Sequence, residues 1–265
     1  MAKHAIEISD PSDPRIGDYT NIRERDLLRD KQTFICEGKT VLQVLVRQPQ
    51  FKIKSLLILR NRLEGIGSIV QSLPDEVPVY VAERSVVDAI AGFPMHRGVL
   101  ATAEKPEQSS LALQDGPIII ASALANHDNV GALFRNAAAF GASAVFLDGQ
   151  CCDPLYRKAI RVSVGGVLQV PFQHGGTLED IVTNLETQKY TISALATGGD
   201  VELNDWVPPT KTALLVGSEG EGLPQEVLAK LQTLRISMHG GFDSLNVATT
   251  AAIALHHVAA HKRAI

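Results

Sequence analysis

Short apolar runs alternate with helical repeats along the first hundred residues. Runs rich in apolar and β-branched side chains predict strands, at residues 54–59, 77–81 and 98–103. Apolar positions recurring every three or four residues predict helices, at residues 37–46, 63–73 and 83–91. Residues 1–20 lack any period and hold Pro11, Pro14 and Gly17, which predicts an irregular arm. The alternation predicts an α/β domain over residues 1–105.

A second alternation follows a polar, proline-containing stretch at residues 103–110. It predicts further strands, at residues 117–121, 144–148, 190–194, 213–217 and 234–238. It also predicts further helices, at residues 129–140, 177–187 and 224–231. The run Ile118-Ile119-Ile120 is apolar throughout, as is typical of parallel strands covered on both faces. We therefore predict a linker at residues 106–116 and, at residues 117–265, an α/β domain with a mainly parallel sheet.

Residues 236–255 combine a strand, a loop and a helix in a way that favours ligand binding. The loop holds Gly240 and Gly241, and the following helix is rich in small residues. Asp243 or Ser244 is the predicted N-cap of that helix. Because the N–H groups of a first helical turn are unpaired, this loop is a candidate ligand site. A capped core helix is the alternative interpretation.

Two other loops leave predicted strand ends, where ligands of parallel sheets bind. In the first, Asn129 is a predicted helix N-cap, and Arg135 can either clamp a phosphate or form a surface salt bridge. The second loop, residues 217–224, is rich in glycine and ends at Pro224. It lacks the Gly-Lys-Ser/Thr ending and the glycine spacing of nucleotide loops, and Glu219 suits a phosphate poorly. The sequence therefore does not predict a nucleotide phosphate loop.

Composition narrows the class of protein without identifying it. Of the 265 residues, 45% are hydrophobic and 20% are charged, which is typical of a globular chain with a sizeable core. No apolar run approaches the roughly 20 residues that span a bilayer. The three cysteines show neither metal-ligand spacing nor a disulfide framework, which favours a cytoplasmic protein. Residues 1–105 carry 15 basic and 14 acidic residues, against 10 and 15 in the remainder, so the first part is the more basic.

Three segments together resemble one known family. Residues 129–135 (NVGALFR), 215–224 (LVGSEGEGLP) and 236–248 (ISMHGGFDSLNVA) resemble, in order and spacing, the three motifs of the SpoU (TrmH-type) RNA ribose 2'-O-methyltransferases. The middle segment 161–171 is similar too. Residues 34–41 (FICEGKTV) and 96–99 (HRGV) resemble the L30e-like substrate-binding domain of these enzymes.

The resemblance implies a fold, a cofactor and an assembly. The second domain would carry the trefoil-knotted SPOUT fold, and the protein would act as a homodimer with its active site near the interface. The cofactor would be S-adenosylmethionine, and its partner a structured RNA. The knotted loops would hold the cofactor mostly through backbone groups, around Thr197, Gly217, Ile236, Met238 and Leu245.

The resemblance also implies catalytic roles. Arg135 occupies the position assigned to activation of the ribose hydroxyl, and Asn129, Glu219, Ser244 and Asn246 occupy supporting positions. A guanidinium has a pKa above about 12, which makes it a poor proton acceptor. We therefore interpret Arg135 as a clamp for the phosphate and for the developing alkoxide, with a role as general base as the alternative.

The RNA target stays open, with 23S rRNA favoured over tRNA by analogy with the ribosomal L30e fold. Two other functions compete. One is a non-catalytic RNA-binding or ribosome-assembly protein of the same fold, and the other is a methyltransferase acting on a base nitrogen. The presence of all the motif residues, Arg135 and Glu219 among them, disfavours the first, and the motif at 129–135 disfavours the second.

Several other residues invite functional interpretations. His257 and His261 are spaced as a metal pair but lack a third ligand, so we expect no metal site. Cys151 and Cys152 are expected to be reduced thiols. Trp206 is expected to pack in the interior and not to stack on bases. His96 and Arg97 are candidates either for RNA contact or for a domain junction.

Overall fold

The computed structural model describes residues 5–20, 24–91, 97–107, 111–218, 220 and 222–263. The chain divides into two compact units. The first comprises Met1–Glu107 with Leu155–Leu168, and the second comprises Gln108–Pro154 with Gln169–Ile265. The predicted division placed residues 155–168 in the second domain, whereas their contacts group them with the first unit.

Strands and helices alternate along most of the chain. The strands are β1 Ala5–Ile8, β2 Thr33–Glu37, β3 Ile53–Leu59, β4 Val79–Ala82, β5 Val99–Glu104, β6 Ile118–Ala121, β7 Ala144–Leu147, β8 Phe172–His174, β9 Thr191–Leu195, β10 Val201–Glu202, β11 Thr212–Val216 and β12 Gln232–Arg235. The α-helices are α1 Glu24–Arg29, α2 Lys39–Leu45, α3 Gly67–Ser72, α4 Arg84–Ala91, α5 His127–Phe140, α6 Arg157–Val162, α7 Gly166–Gln169, α8 Leu178–Thr187, α9 Gln225–Leu228 and α10 Val247–Arg263.

The first unit is built on a mixed five-stranded sheet with the order β1-β4-β3-β5-β2. Strand β4 runs parallel to β1 and β3, and β5 runs antiparallel to β3 and β2. In its core the Tyr19 hydroxyl lies 2.9 Å from the Ser55 carbonyl oxygen and 2.8 Å from the Ser55 hydroxyl. Burial raises the pKa of Tyr19, so the phenol keeps the proton that it donates.

Two predictions for the first unit are wrong in part. The arm at 1–20 is not irregular throughout, because β1 pairs with β4 and a 3₁₀ helix spans Pro14–Tyr19. An edge strand of four residues gains its hydrogen bonds from a distant partner, so it leaves no local period. The predicted helix at 37–46 begins late, because Glu37 ends β2 and Gly38 has φ of 98° before α2 starts.

Residues 155–168 supply partners to a buried carboxylate of the first unit. Glu37 is buried, and its Oε2 accepts from Arg157 Nη1 at 3.0 Å and from Arg161 Nη1 at 3.5 Å. Gly165 has φ of 83° and lies against Val44, where a Cβ would come within 3.1 Å of that side chain. Charge pairing and close packing together attach this segment to β2 and α2.

The second unit is built on seven strands in the order β10-β12-β9-β11-β6-β7-β8. Every neighbouring pair in it is parallel. The central strands β6 and β11 are buried along their whole length, as their apolar runs predicted. The predicted α/β class with a mainly parallel sheet is therefore confirmed. Within the predicted linker, Leu111 and Leu113 pack against the core of this unit.

No helix in the described part of the chain is both long enough and apolar enough to cross a membrane.

Candidate functional site

A cavity of about 990 Å³ opens in the second unit. Its walls come from the loops after β9, β11 and β12 and from the start of α10. These three strands are neighbours in a parallel sheet, so their carboxyl ends, and the loops that follow, lie at one edge. The residues predicted to hold a cofactor all line this cavity: Thr197, Gly217, Ile236, Met238 and Leu245.

Glycines shape the cavity in two different ways. A Cβ on Gly217 would lie 2.7 Å from the Gly222 carbonyl carbon, so a side chain there would force two backbone strands of the loop apart. Gly198, Gly220 and Gly222 also line the cavity, and a Cβ on any of them would have no neighbour within 4 Å. The first glycine allows close backbone packing, and the other three leave open space beside the backbone.

Asn246 links the last helix to α5. Its Oδ1 accepts from the backbone N–H of Ala248 at 2.9 Å and of Thr249 at 3.3 Å. Its Nδ2 donates to Oδ1 of the buried Asn129 at 2.9 Å. One amide therefore caps α10 and holds it beside α5.

Both predicted N-caps are wrong. Asn246 caps the last helix in place of Asp243 or Ser244, both of which lie in the cavity wall before the helix begins. Helix α5 begins at His127, and Asn126 caps it by accepting from the Asp128 N–H at 2.9 Å. Asn129 therefore lies inside the helix, where its amide faces Asn246.

Arg135 lies on α5 with an exposed side chain. No carboxylate among the described residues pairs with it, so the surface salt bridge that was the alternative interpretation is not found there. It is not part of the cavity wall. The next residue, Asn136, donates from Nδ2 to the Ala248 carbonyl at 2.8 Å, which ties this turn of α5 to the first turn of α10.

The remaining predicted catalytic residues are placed as follows. Ser244 and Asn246 line the cavity. Glu219 lies outside the described residues, as does His96. The structure therefore brings Asn129, Ser244 and Asn246 together at the start of α10. Arg135 lies on α5, which Asn129 and Asn136 attach to α10.

Sequence reasoning missed Asp148, a buried carboxylate directly after β7. It accepts from the Ser122 hydroxyl at 2.6 Å, the Ala123 N–H at 3.1 Å and the Cys151 N–H at 3.1 Å. Ala123 has φ of 54°, an uncommon value for a residue with a Cβ. Asp148 thus holds the loop that leads into α5. An acidic residue ending a buried strand was the available signal.

Other candidate residues have structural partners. Trp206 is buried and its ring stacks on that of His257 at 6.0 Å between centroids, which confirms that it packs in the interior. His257 Nε2 lies 2.7 Å from the Trp206 carbonyl oxygen, and His261 Nδ1 lies 3.0 Å from that of His257. In the part of the chain that the structure describes, no three His, Cys, Asp or Glu side chains group as metal ligands.

The cysteines lie in surroundings that disfavour a thiolate. Burial raises the pKa of Cys151 to about 12 and that of Cys152 to about 11. Cys36 is fully buried and its pKa is raised as well. Reactive cysteines have lowered pKa values, so none of the three is suited to nucleophilic or redox chemistry.

Comparison with known proteins gives consistent matches. The model of the SpoU rRNA Methylase family matches residues 116–256. An uncharacterized tRNA/rRNA methyltransferase of Mycobacterium bovis is 33% identical over 94% of this chain and 90% of its own length. A 23S rRNA (guanosine(2553)-2'-O)-methyltransferase of Bacillus subtilis is 22% identical over 95% of this chain and 98% of its own. The AdoMet-bound rRNA methyltransferase from Sinorhizobium meliloti superposes with a TM-score of 0.82 at 22% identity, over 97% of this chain and 98% of that one.

Proposed function

Since this chain belongs to the SpoU rRNA methylase family, we propose that it methylates the 2'-hydroxyl of a ribose in structured RNA, with S-adenosylmethionine as the methyl donor. The observation that carries the proposal is the single cavity lined by all the residues that the family resemblance assigned to the cofactor. The B. subtilis relative is named for the same reaction on 23S rRNA.

The cavity fits the proposed donor in size and charge. Its volume of about 990 Å³ suits a ligand of nucleoside size. Asp200 and Asp243 line it, and their carboxylates complement a ligand that carries sulfonium and ammonium charges. The open space beside Gly198, Gly220 and Gly222 lets a ligand approach backbone N–H and C=O groups. When bound, the donor supplies a methyl group that its sulfonium makes electrophilic.

The chain's own residues position and activate the hydroxyl. We assign Arg135 to clamping the phosphate beside the target ribose and to stabilising the alkoxide as it develops, because its exposed guanidinium has no carboxylate partner among the described residues. The hydroxyl proton passes to that phosphate or to water. Asn246 and Asn129 hold the start of α10 and α5 together. By resemblance to the family, we assign Ser244 and Glu219 to supporting the same site. Holding the reactants in line contributes on the order of 7–11 kcal/mol in favourable cases.

The assembly that we propose is a homodimer formed through α10 and α5. Ile253 of α10 is exposed, as are Thr249 and His256 on neighbouring turns and Ala138 and Ala139 of α5. Small and apolar side chains on adjoining helices are suited to close packing against a second copy. We further propose that the second unit carries the trefoil knot of its family and that the first unit, L30e-like, binds the RNA in the cytoplasm.

The experiment is tritium transfer from labelled S-adenosylmethionine to total RNA from cells lacking this gene, followed by mapping of alkali-resistant sites. We expect the wild-type protein to label one nucleotide of 23S rRNA and the Arg135→Ala variant to transfer no label. Label in tRNA would change the target and keep the reaction. Label in a base would identify a base methyltransferase, and calorimetric absence of donor binding would favour a non-catalytic RNA-binding protein.

The role of Arg135 has its own test, the pH–rate profile of Arg135→Lys. If guanidinium geometry matters, the lysine variant stays inactive at every pH, because an ammonium cannot form two parallel bonds to a phosphate. Recovery of activity along a shifted limb would instead establish a general base at this position.

A further inference from the structure

Phe242 is exposed to an extent that no other described aromatic residue approaches. Phe242 is 70% exposed, whereas the other described Phe, Tyr and Trp residues are buried or partly buried. An aromatic ring left in water forgoes the stabilisation that burial would provide. Exposure of a single apolar residue is common and carries no function by itself. What distinguishes Phe242 is its position in a loop that lines the cavity.

The loop holds Phe242 at the rim of the cavity. Met238 on one side and Asp243, Ser244 and Leu245 on the other line the cavity, while Phe242 itself does not. Its backbone N–H donates to the His239 carbonyl at 3.4 Å, closing a turn in which Gly240 has φ of 69°. The turn fixes the backbone of Phe242 at the cavity edge and leaves the ring in solvent.

The surroundings of the ring favour a nucleobase over a protein surface. Its loop neighbours are His239, two glycines, Asp243 and Ser244, so no apolar patch continues along the chain on either side. A stable interface between proteins needs roughly 800 Å² from each partner, which a lone ring does not provide. A single aromatic ring is sufficient for a base, because each base has a flat face that stacks on it.

We propose that Phe242 is a stacking platform for a nucleobase of the substrate RNA beside the target ribose. The inference rests on the proposed function, since it assumes that RNA approaches this cavity. Sequence-specific RNA recognition mostly targets loops and bulges, where bases lie outside the helical stack and are bound by aromatic side chains. Phe242 replaces the stacking that the nucleotide loses, and so it favours the reactive arrangement of the RNA.

The first test compares Phe242→Ala, Phe242→Leu and Phe242→Tyr in methyl transfer to ribosomal RNA isolated from cells lacking this gene. Removing the ring is expected to raise KM for RNA between about fivefold and a hundredfold in both the alanine and leucine variants. Tyrosine is expected to keep KM near the wild-type value, because it stacks as phenylalanine does. Donor affinity, measured by calorimetry, is expected to stay unchanged in all three.

Two results with these variants would overturn the proposal. If leucine preserves KM, the position needs only apolar volume and not a ring. If alanine or leucine changes the oligomeric mass measured by light scattering, Phe242 contacts a second copy of the chain.

The second test does not depend on activity. Replacing Phe242 by Trp in a Trp206→Phe background makes position 242 the only tryptophan, because the sequence contains one. Stacking on a base quenches indole fluorescence, so added ribosomal RNA is expected to reduce the emission. The matched control places the tryptophan at Val207, which is 75% exposed and lies outside the cavity wall. Equal quenching in the two proteins, or none in either, would contradict the proposal.

The two proposals fail in distinguishable ways. Quenching at position 242 without methyl transfer by the wild-type protein would remove the proposed reaction and keep the stacking contact. Methyl transfer that is insensitive to the side chain at 242 would remove the stacking contact alone.

Discussion

Asn246 shows how much one side chain can determine at the scale of the residue. Its oxygen satisfies the first N–H groups of α10, and its nitrogen satisfies the only oxygen of a buried amide on α5. Because the same amide plane makes both contacts, the direction of α10 and the position of Asn129 are coupled. The first turn of α10 is also a wall of the cavity.

Asn246→Ala is expected to destabilise the protein by about 2–4 kcal/mol. Losing a helix cap costs about 1 kcal/mol, and leaving the buried Asn129 unsatisfied costs about 1–3 kcal/mol. Asn246→Asp is the matched control, because it keeps the capping oxygen and Asn129 can turn its own N–H₂ group toward the carboxylate. Urea unfolding measures both variants. Equal losses in alanine and aspartate would show that neither the cap nor the contact with Asn129 stabilises the protein.

The thiols are expected to react slowly in the native protein. With its pKa raised to about 11 from 9.0, Cys152 has a thiolate fraction at pH 8 roughly a hundredfold below that of an unperturbed thiol. Ellman's reagent should therefore titrate the three cysteines rapidly only after unfolding in urea. A rapid native phase, removed by Cys152→Ser, would show that this thiol is reactive after all.

The same pKa values set the sign of a pH dependence. The native state keeps protons on Cys151 that the unfolded chain releases above its pKa of 9.0. The contribution of this thiol to stability is therefore fully present below about pH 9, and it is lost as the pH rises toward 12. Cys151→Ala should flatten the decrease in unfolding free energy over this range, measured by urea unfolding at successive pH values.

At the scale of the element, the cavity depends on loops that pack against the backbone of neighbouring strands. A Cβ on Gly199 would lie 2.6 Å from the carbonyl carbon of Leu234 in β12. At the adjacent Gly198 a Cβ would meet nothing within 4 Å. Two neighbouring glycines therefore have different structural requirements.

Gly199→Ala is expected to destabilise the protein by about 1–3 kcal/mol, because β12 or the loop after β9 must move to admit the methyl group. Gly198→Ala is the control, and its unfolding free energy should stay within about 0.5 kcal/mol of the wild type. Urea unfolding compares the two variants. Similar losses in both would show that the loop requires flexibility at these positions and not close packing.

At the scale of the whole molecule, the two units are not continuous in sequence. Residues 155–168 follow β7 of the second unit along the chain but pack in the first unit, where Arg157 and Arg161 pair with Glu37. The first unit is therefore complete only when a segment from the second half of the chain is present.

A fragment of residues 1–107 is expected to be less stable than the same residues in the full chain. Without residues 155–168, the carboxylate of Glu37 loses both cationic partners and β2 loses the helix that packs against it. Hydrogen exchange should therefore be faster for β2 in the fragment. Strand β4, which β3 and β5 separate from β2 in the sheet, serves as the internal comparison. Equal protection of β2 in the two forms would contradict this expectation.

The sequence by itself determined the elements whose signal is local. Continuous apolar runs predict buried strands such as β6 and β11, so the parallel sheet of the second unit was predictable. The motifs selected five cofactor candidates that the structure places around one cavity. Their roles, and that of Arg135, stay proposals until the variants are measured.

Only the tertiary structure decided the points where several local solutions are equivalent. Asp243, Ser244 and Asn246 are all good caps, and the choice depends on Asn129, more than a hundred residues away. Strand β1 forms by pairing with β4, which is distant in sequence. Residues 155–168 join the first unit through the ion pair of Arg157 with Glu37. The exposure of Phe242 likewise depends on which surfaces surround it. These partners are distant in sequence and meet only in the folded chain, so the pattern within a short stretch of sequence cannot predict the contact.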